Sequence, residues 1–410
     1  MESRLLTGLD IGTTKVCAVI VKEDTGGQLN VVGIGSAPSH GLRKGVVVNI
    51  EQTVQSIQQA LGEAEHMAGV EVESVFVGIA GDHIRSLNSK GVVGVSRDDH
   101  EITEDDVDRA ISAAKALALP IDREILHVIP QEFIVDDQDG IPDPVGLSGV
   151  RLEVEVHLVT AAVTSAQNIV KSVQRAGYDV EEIVLEPLAS SLAVLDDDER
   201  NLGVALIDLG GGTTDIALFF EGHIRHTSVV ALGGQHVTND IAIGLRTPPE
   251  QAEVIKIEHG CGLTEMVKTN ETLTVPGVGG RAPRVISRSV LTDIIQPRIE
   301  EILTLTHQEM EKSDLLNLMA TGAVITGGGA MLKGTIELAE KMWGIPVKLG
   351  IPKYLGGLTE SVRNPVYSTA VGLTLYGRHY HNGTSFHKRK TENLWEDVRD
   401  SITHFFRRFF

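Results

Sequence analysis

Apolar and polar positions along this chain follow two rhythms. Leu5–Asp10 and Val16–Val21 are short β-branched runs on either side of a Gly/Thr turn, the pattern of two tightly joined strands. Further runs at Val31–Ile34 and Val46–Val48 predict more strand. From Glu51 to Met67 the rhythm changes: Val54, Ile57, Leu61 and Ala64 recur at helical spacing, and Gly69 stands where a C′ residue would end the helix. Ser74–Ala80 reads as strand again, closed by Gly81. Residues 82–160 are dense in acids and prolines and hold one helical pattern, Glu104–Leu119 behind the N-cap candidate Thr103, between β-like stretches. They predict an inserted subdomain. Ser165–Ala176 then reads as a helix stopped by Gly177, Val180–Leu185 as a strand, Leu188–Leu195 as an apolar helix, and the acidic run Asp196–Arg200 as a loop.

After that loop the pattern begins again. Leu6–Thr14 (LTGLDIGTT) recurs in outline as Ala205–Thr214 (ALIDLGGGTT), each with strand, Asp, glycine, two threonines and a second strand, Val16–Val21 or Ile216–Phe220. Asp10 and Asp208 stand about half a chain apart, so the repeat is a duplicated α/β fold with a pseudo-twofold and not a solenoid. The second copy continues through Val229–Leu232 and Gly233-Gly234 into a helix-rich stretch to about residue 313. The strand Ala323–Thr326 then meets Gly327, Gly328 and Gly329 before the helix Ile336–Trp343. The predicted partition is 1–81 and 163–200 for the first domain, interrupted by the insert at 82–162. The second domain takes 201–234 and 318–364, interrupted by a helical subdomain at 235–317. A returning strand and helix at 365–376, a polar linker at 377–393 and a terminal helix at 394–410 complete it.

Composition narrows the class. The formal charge of −20 argues against nucleic acid as a partner. Cys17 and Cys261 lie far apart in unrelated contexts, so neither a disulfide framework nor a zinc site is expected. The first residues lack the layout of a signal peptide, and no apolar run is long enough to span a bilayer. Fifteen histidines fall at no metal-ligand spacing. Charge is unevenly placed: residues 381–410 carry six Lys/Arg against four Asp/Glu, which leaves −22 on the rest and suggests a tail with its own partner.

The chemistry lies in the turns. Glycine lets backbone N–H groups approach an anion where a side chain would obstruct, and threonine hydroxyls add neutral donors. A strand-end aspartate can face a phosphate only across a hydrated Mg²⁺. Asp10, Gly12, Thr13, Thr14 and Lys15, with Asp208, Gly210, Gly211, Gly212, Thr213 and Thr214, therefore predict two turns clamping a triphosphate. Gly327–Gly329 would give a surface bare of side chains for a base or ribose.

The tail has a pattern of its own. At about 100° per residue, Leu394, Trp395, Val398, Ile402, Phe405, Phe406, Phe409 and Phe410 fall within an arc of about 160°. The acids and most of the basic residues fall outside it, with Arg399 at its border. This predicts an amphipathic helix lying in an anionic membrane interface, aided by Lys388–Lys390. A helix docked on the protein's own body is the competing reading.

The order of the two phosphate turns, the connecting segments Glu186–Ser191 and Pro365–Ala370, and the Gly-rich loop at 326–330 resembles the actin/Hsp70/sugar-kinase superfamily. Within it the chain resembles the FtsA family of bacterial division proteins over nearly its whole length, including helix 104–119, the segment 130–150 and the stretch Gly277–Arg298. The resemblance implies an actin-like (ribonuclease H-like) fold of two domains around a nucleotide cleft, with ATP or ADP and Mg²⁺ held there. Asp10 and Asp208 would lie on the magnesium side, and Glu253 and Lys256 would make the base and ribose contacts. A solvated i,i+3 pair is the plainer reading of that last couple. Glu186 would position water for a slow hydrolysis, although an acid before Pro187 also suits an ordinary helix start.

The resemblance further implies self-association into filaments at the cytoplasmic face of the inner membrane, at the division site, and recruitment of later division membrane proteins. It implies docking of the C-terminal peptide of the tubulin-like FtsZ, for which Arg281, Arg284, Arg288 and Arg298 offer a basic cluster, unless some of these pair with Glu300 and Glu301. The rival class is a small-molecule kinase of the same superfamily, which would have no use for the tail or the insert.

Overall fold

Two sheets of matching topology form the frame. The structure is a computed structural model and describes residues 4–381 except 98, 117, 118, 269 and 354. In the first sheet the strands run in the order Leu29–Pro38, Lys15–Glu23, Arg4–Ile11, Ser74–Ile79 and Asp179–Leu185, with the two-residue strand Gly356–Gly357 added at the Leu29–Pro38 edge. In the second the order is His223–Val230, Thr214–Phe220, Val204–Leu209, Ala323–Thr326 and Val347–Leu349. In both, the first three strands are antiparallel and the last two join in parallel. The duplication read from the motifs is therefore a duplication of the whole sheet. Val204–Leu209, paired on both sides and covered on both faces, is buried at every residue, which is why it reads as an apolar run broken only by Asp208.

Helices cover the sheets. Ile50–Ala68 starts at Asn49, whose side chain accepts the Gln52 N–H, and ends at Gly69 with φ 65°. The closing helix Ser368–His381 approaches the first sheet so tightly that a Cβ on Gly8 would overlap the Ala370 carbonyl. One on Gly372 would overlap the Ala189 carbonyl.

Several boundaries differ from the sequence reading. The acidic run after Asp196 is a short helix, Asp197–Leu202, because Asp196 and Glu199 form a capping box. Glu104–Lys115 ends four residues earlier than its pattern, with Ala116 already outside helical geometry. No strand starts at Pro365: Pro365–Tyr367 is a 3₁₀ turn, and the return to the first sheet is made by Gly356–Gly357. Residues 377–381 of the expected linker continue the closing helix. The helix-rich stretch after 235 also contains a hairpin, Thr272–Val275 with Arg284–Ser287. The terminal helix expected at 394–410, with Leu394, Trp395, Val398, Ile402, Phe405, Phe406, Phe409 and Phe410, lies outside the described residues.

The chain divides into two compact units. One is formed by Met1–Leu87, Ala118–His127 and His157–Leu375 and contains both sheets; the other is built around Asn88–Leu117 and Val128–Val156. The second unit is the α+β insert, with Glu104–Lys115 as its helix. In it Asp106 is fully buried and accepts from Thr103, Ser96 and Arg109, which hold its carboxyl well below the usual range.

Candidate nucleotide cleft

The two hairpins are equal in length. Asp10 pairs with Cys17 across the first turn and Asp208 with Asp215 across the second. Counting inward, Gly12 matches Gly210, Thr13 and Thr14 match Gly211 and Gly212, and Lys15 matches Thr213. The threonine pairs that looked alike are therefore not equivalent. Each turn is closed by the same bond, Gly12 N–H to the Lys15 carbonyl at 2.9 Å and Gly210 N–H to the Thr213 carbonyl at 3.0 Å.

The turns also meet. A Cβ on Gly211 would lie 2.6 Å from Thr14, and one on Gly212 would lie 2.5 Å from Thr13. Position three of one turn thus touches position four of the other, and the reverse, which is the contact pattern of a twofold axis. Behind the second turn, Gly234 and Gln235 N–H groups donate to the Gly210 and Gly211 carbonyls at 2.9 and 2.8 Å. The start of the helix Gly234–Leu245 thereby engages these carbonyls. The first turn is braced by Gly45 N–H on Thr13 Oγ1, 3.1 Å, and Ser39 N–H on the Thr14 carbonyl, 3.0 Å.

Carboxylates crowd the cleft. Burial pushes Asp10 up to about 6, against the pull of Lys15. Burial, then Asp215 and Asp10, raise Asp208 to about 7, while the Thr369 hydroxyl opposes the shift. Burial raises Asp215 to about 7 against hydrogen bonds from Thr213 and the Gly81 backbone. Glu186 is held well above the ordinary range by burial and then by Asp10, Asp215 and Asp208. Four buried carboxyls, raised above their ordinary range first by burial, suit a site whose ligand brings a cation. Among the described residues no three His, Cys, Asp or Glu stand close enough to hold a metal.

Gly327, φ 85°, backs onto the Asp208 carboxylate, so a side chain there would be strained and would overlap it. Gly328 is open, its nearest neighbour for a Cβ being Val366 at 3.8 Å, whereas a Cβ on Gly329 would strike Leu209. Lys256 Nζ binds Glu253 at 2.8 Å, Thr238 Oγ1 at 2.8 Å and the Gly234 carbonyl at 3.1 Å, and Thr238 also bonds Glu253. That pair is tied to the helix behind the second turn and is not freely solvated. Thr214 is buried with its hydroxyl on the Leu232 carbonyl, 2.9 Å, and Thr213 bonds Asp215. Glu186 is the first residue of the helix Glu186–Val194, with Pro187 beside it. The His127 ring takes the Leu185 N–H at 2.9 Å just before it.

Asp215 and Thr369 are absent from the sequence-derived site. Asp215 could have been found by carrying the spacing of Asp10 and Cys17 onto Asp208. The four arginines do not form one free cluster. Arg284 donates to the Leu245 carbonyl, Arg288 to Glu271 and the His259 carbonyl, and Arg298 to Asp240 and Glu301. Arg281 makes none of these bonds.

The chain is similar to known proteins over most of its length. A family profile described as "Cell division protein FtsA" matches residues 205–372, and one described as "SHS2 domain inserted in FTSA" matches residues 81–160. The cell division protein FtsA of Pseudomonas aeruginosa is 52% identical over 376 residues, covering 92% of this chain and 90% of that protein. The chain belongs to the FtsA family. FtsA of Escherichia coli K12 is 42% identical over 402 residues, 96% of this chain and 95% of its own. Among solved structures, the PilM–PilN type IV pilus biogenesis complex shares the fold at TM-score 0.66 and 18% identity, over 91% of this chain and 98% of that one. MreB5 of Spiroplasma citri bound to ADP does so at 0.56 and 15%, over 92% and 98%.

Proposed function

We propose that this FtsA-family chain is a nucleotide-dependent scaffold that links the FtsZ ring to the membrane. It binds ATP or ADP between the two turns, with Mg²⁺ held through water by Asp10 and Asp208. The observation that carries the reading is the meeting of two equal glycine turns, Thr13 on Gly212 and Thr14 on Gly211, over a floor of buried carboxylates. An actin-like relative, MreB5, has been solved with ADP and with AMPPNP, which supports the same use of the fold here. A bound cation would offset the cost of ionising these buried carboxyls. Glu186, once ionised, would orient water by accepting a hydrogen bond, so that any hydrolysis is slow and secondary to assembly.

Filament formation through the insert and the second half, docking of the FtsZ C-terminal peptide on residues 235–315 and recruitment of later division membrane proteins complete the proposal. Arg281 and Arg284 are the better candidates for the peptide's carboxylates, because Arg298 already serves Asp240 and Glu301. Arg281→Glu should lower peptide affinity in fluorescence anisotropy, and a wild-type value would move the interface elsewhere. Membrane attachment at the cytoplasmic face of the inner membrane would come from residues 394–410. Among the described residues no helix is long and apolar enough to cross a membrane.

Electron microscopy of the full chain on an anionic lipid monolayer, with and without ATP, tests the assembly. Filaments that require ATP, lipid and residues 394–410 support it; monolayers bare under all conditions would overturn it. A peptide of residues 388–410, whose only tryptophan is Trp395, should shift its emission to the blue and gain helical circular dichroism on anionic vesicles.

A further inference from the structure

Lys15, the last residue of the first turn, reaches past the Cys17 thiol and the Asp10 carboxyl of its own hairpin. Its ammonium donates to the Val366 carbonyl at 3.2 Å and stands 4.3 Å from the centre of the Tyr367 ring. The segment it reaches is anchored by three further hydrogen bonds. Asn364 accepts the Val366 N–H at 3.0 Å, Ser368 Oγ meets Thr326 Oγ1 at 2.6 Å, and Thr369 Oγ1 donates to Asp208 at 3.3 Å. Residues 364–369 therefore gather the first turn, the second turn and the strand before Gly327 onto one short element. Lysine brings to this contact a point charge on a flexible four-carbon stem. Lys15 and Tyr367 are both only partly buried, so an incoming anion can reach the ammonium.

We propose that Tyr367 and the Val366 carbonyl act as a latch that competes with the nucleotide's phosphates for Lys15, so that Tyr367 is a positioning residue that sets nucleotide affinity. This rests on the nucleotide-binding reading of the cleft and adds its regulation. A cation over an aromatic face is held electrostatically, and one that leaves for a polyphosphate must give that attraction up. Binding is weakened by the same amount. Because Ser368 and Thr369 open the closing helix Ser368–His381, release of the latch also frees one of the contacts that fix where this helix starts.

Titration calorimetry of MgATP and MgADP into the full chain tests the latch. Tyr367→Leu and Tyr367→Met, which remove the ring, should bind three- to tenfold more tightly than wild type. Tyr367→Phe, which keeps it, should stay within about twofold. Lys15→Met should bind more weakly, and adding Tyr367→Leu to it should change nothing further, since the ring has no cation left to hold. Unchanged or weaker binding on loss of the ring, or a gain that persists without Lys15, would overturn the latch. A wild-type chain that binds neither nucleotide would instead overturn the reading beneath it. A second measurement needs no ring variant. With lysines ¹³C-methylated, the signal absent from Lys15→Met should show an upfield ring-current shift that disappears on saturation with MgADP. A shift that survives saturation would mean that Lys15 never leaves Tyr367.

Discussion

The two hairpins share a backbone and divide the chemistry. At matched positions the first carries Thr13, Thr14, Lys15 and Cys17, and the second carries Gly211, Gly212, Thr213 and Asp215. The first half brings hydroxyls and a cation. The second brings bare backbone and a further carboxylate, backed by the helix Gly234–Leu245. Duplication supplied the symmetry that lets two turns meet, and divergence at four positions made one an outfit of donors and the other a surface open to close approach.

Exchanging those positions should break the comparison unevenly. Giving the second turn the first turn's side chains, as Gly211→Thr with Gly212→Thr, places two Cβ atoms within 2.6 Å of Thr13 and Thr14. Nucleotide binding, followed by titration with a fluorescent analogue, should fall below detection. The reverse exchange, Thr13→Gly with Thr14→Gly, removes two hydroxyl donors worth about 1 kcal/mol each and should weaken binding by roughly thirtyfold. Equal losses would mean that the turns are interchangeable.

Stability against pH contrasts the second turn with His157 on the strand Arg151–Ala162, because acids and a buried histidine act oppositely over one window. His157 is 1% exposed, beside Thr227 at 3.2 Å, and burial and then His226 lower it to about 4 from 6.5. Its contribution is fully present above pH 6.5 and is lost as pH falls toward 4. His157→Gln should therefore flatten the acid limb of a denaturant-stability curve by about 3 kcal/mol. Asp208 and Asp215, raised from 3.8 to about 7, behave in the opposite sense: their contribution is present in acid and is lost as pH rises through 7. Asp215→Asn removes one of the repelling charges and should stabilise the nucleotide-free protein at pH 8 by about 1–2 kcal/mol, with little change at pH 4. Destabilisation at pH 8 would show that Asp215 is needed as a carboxylate for packing alone.

The sheets were legible in the sequence because buried parallel strands are unbroken apolar runs, and Ala323–Thr326 was bounded correctly to the residue. The helix Asp197–Leu202 was hidden, since its signal was two capping side chains in an acidic run. The two-residue strand Gly356–Gly357 has no side chains to make a pattern. At the site, letters misled where geometry decides: the two Thr-Thr pairs matched by eye, while strand pairing sets Thr13 and Thr14 against glycines. Asp215 was reachable by counting, but Thr369 on Asp208 joins residues 161 apart and no local pattern predicts it. The arginines read as a cluster because sequence shows charge without its partners, and Asp240 and Glu271 are not their neighbours in the chain.

Everything proposed for this cleft requires that the meeting turns and the open Gly328 surface hold a nucleotide with magnesium. Titration calorimetry of ATP into the full chain tests it most directly, with and without Mg²⁺, beside the variant Gly328→Asp. Gly328 has room for a side chain, so the variant should fold while it sets a carboxylate where the ligand would lie. Saturable, one-to-one, Mg²⁺-dependent binding is expected of the wild type, with a loss of at least a hundredfold, about 2.7 kcal/mol, in the variant. Equal binding by the two proteins, or none by the wild type, would contradict it.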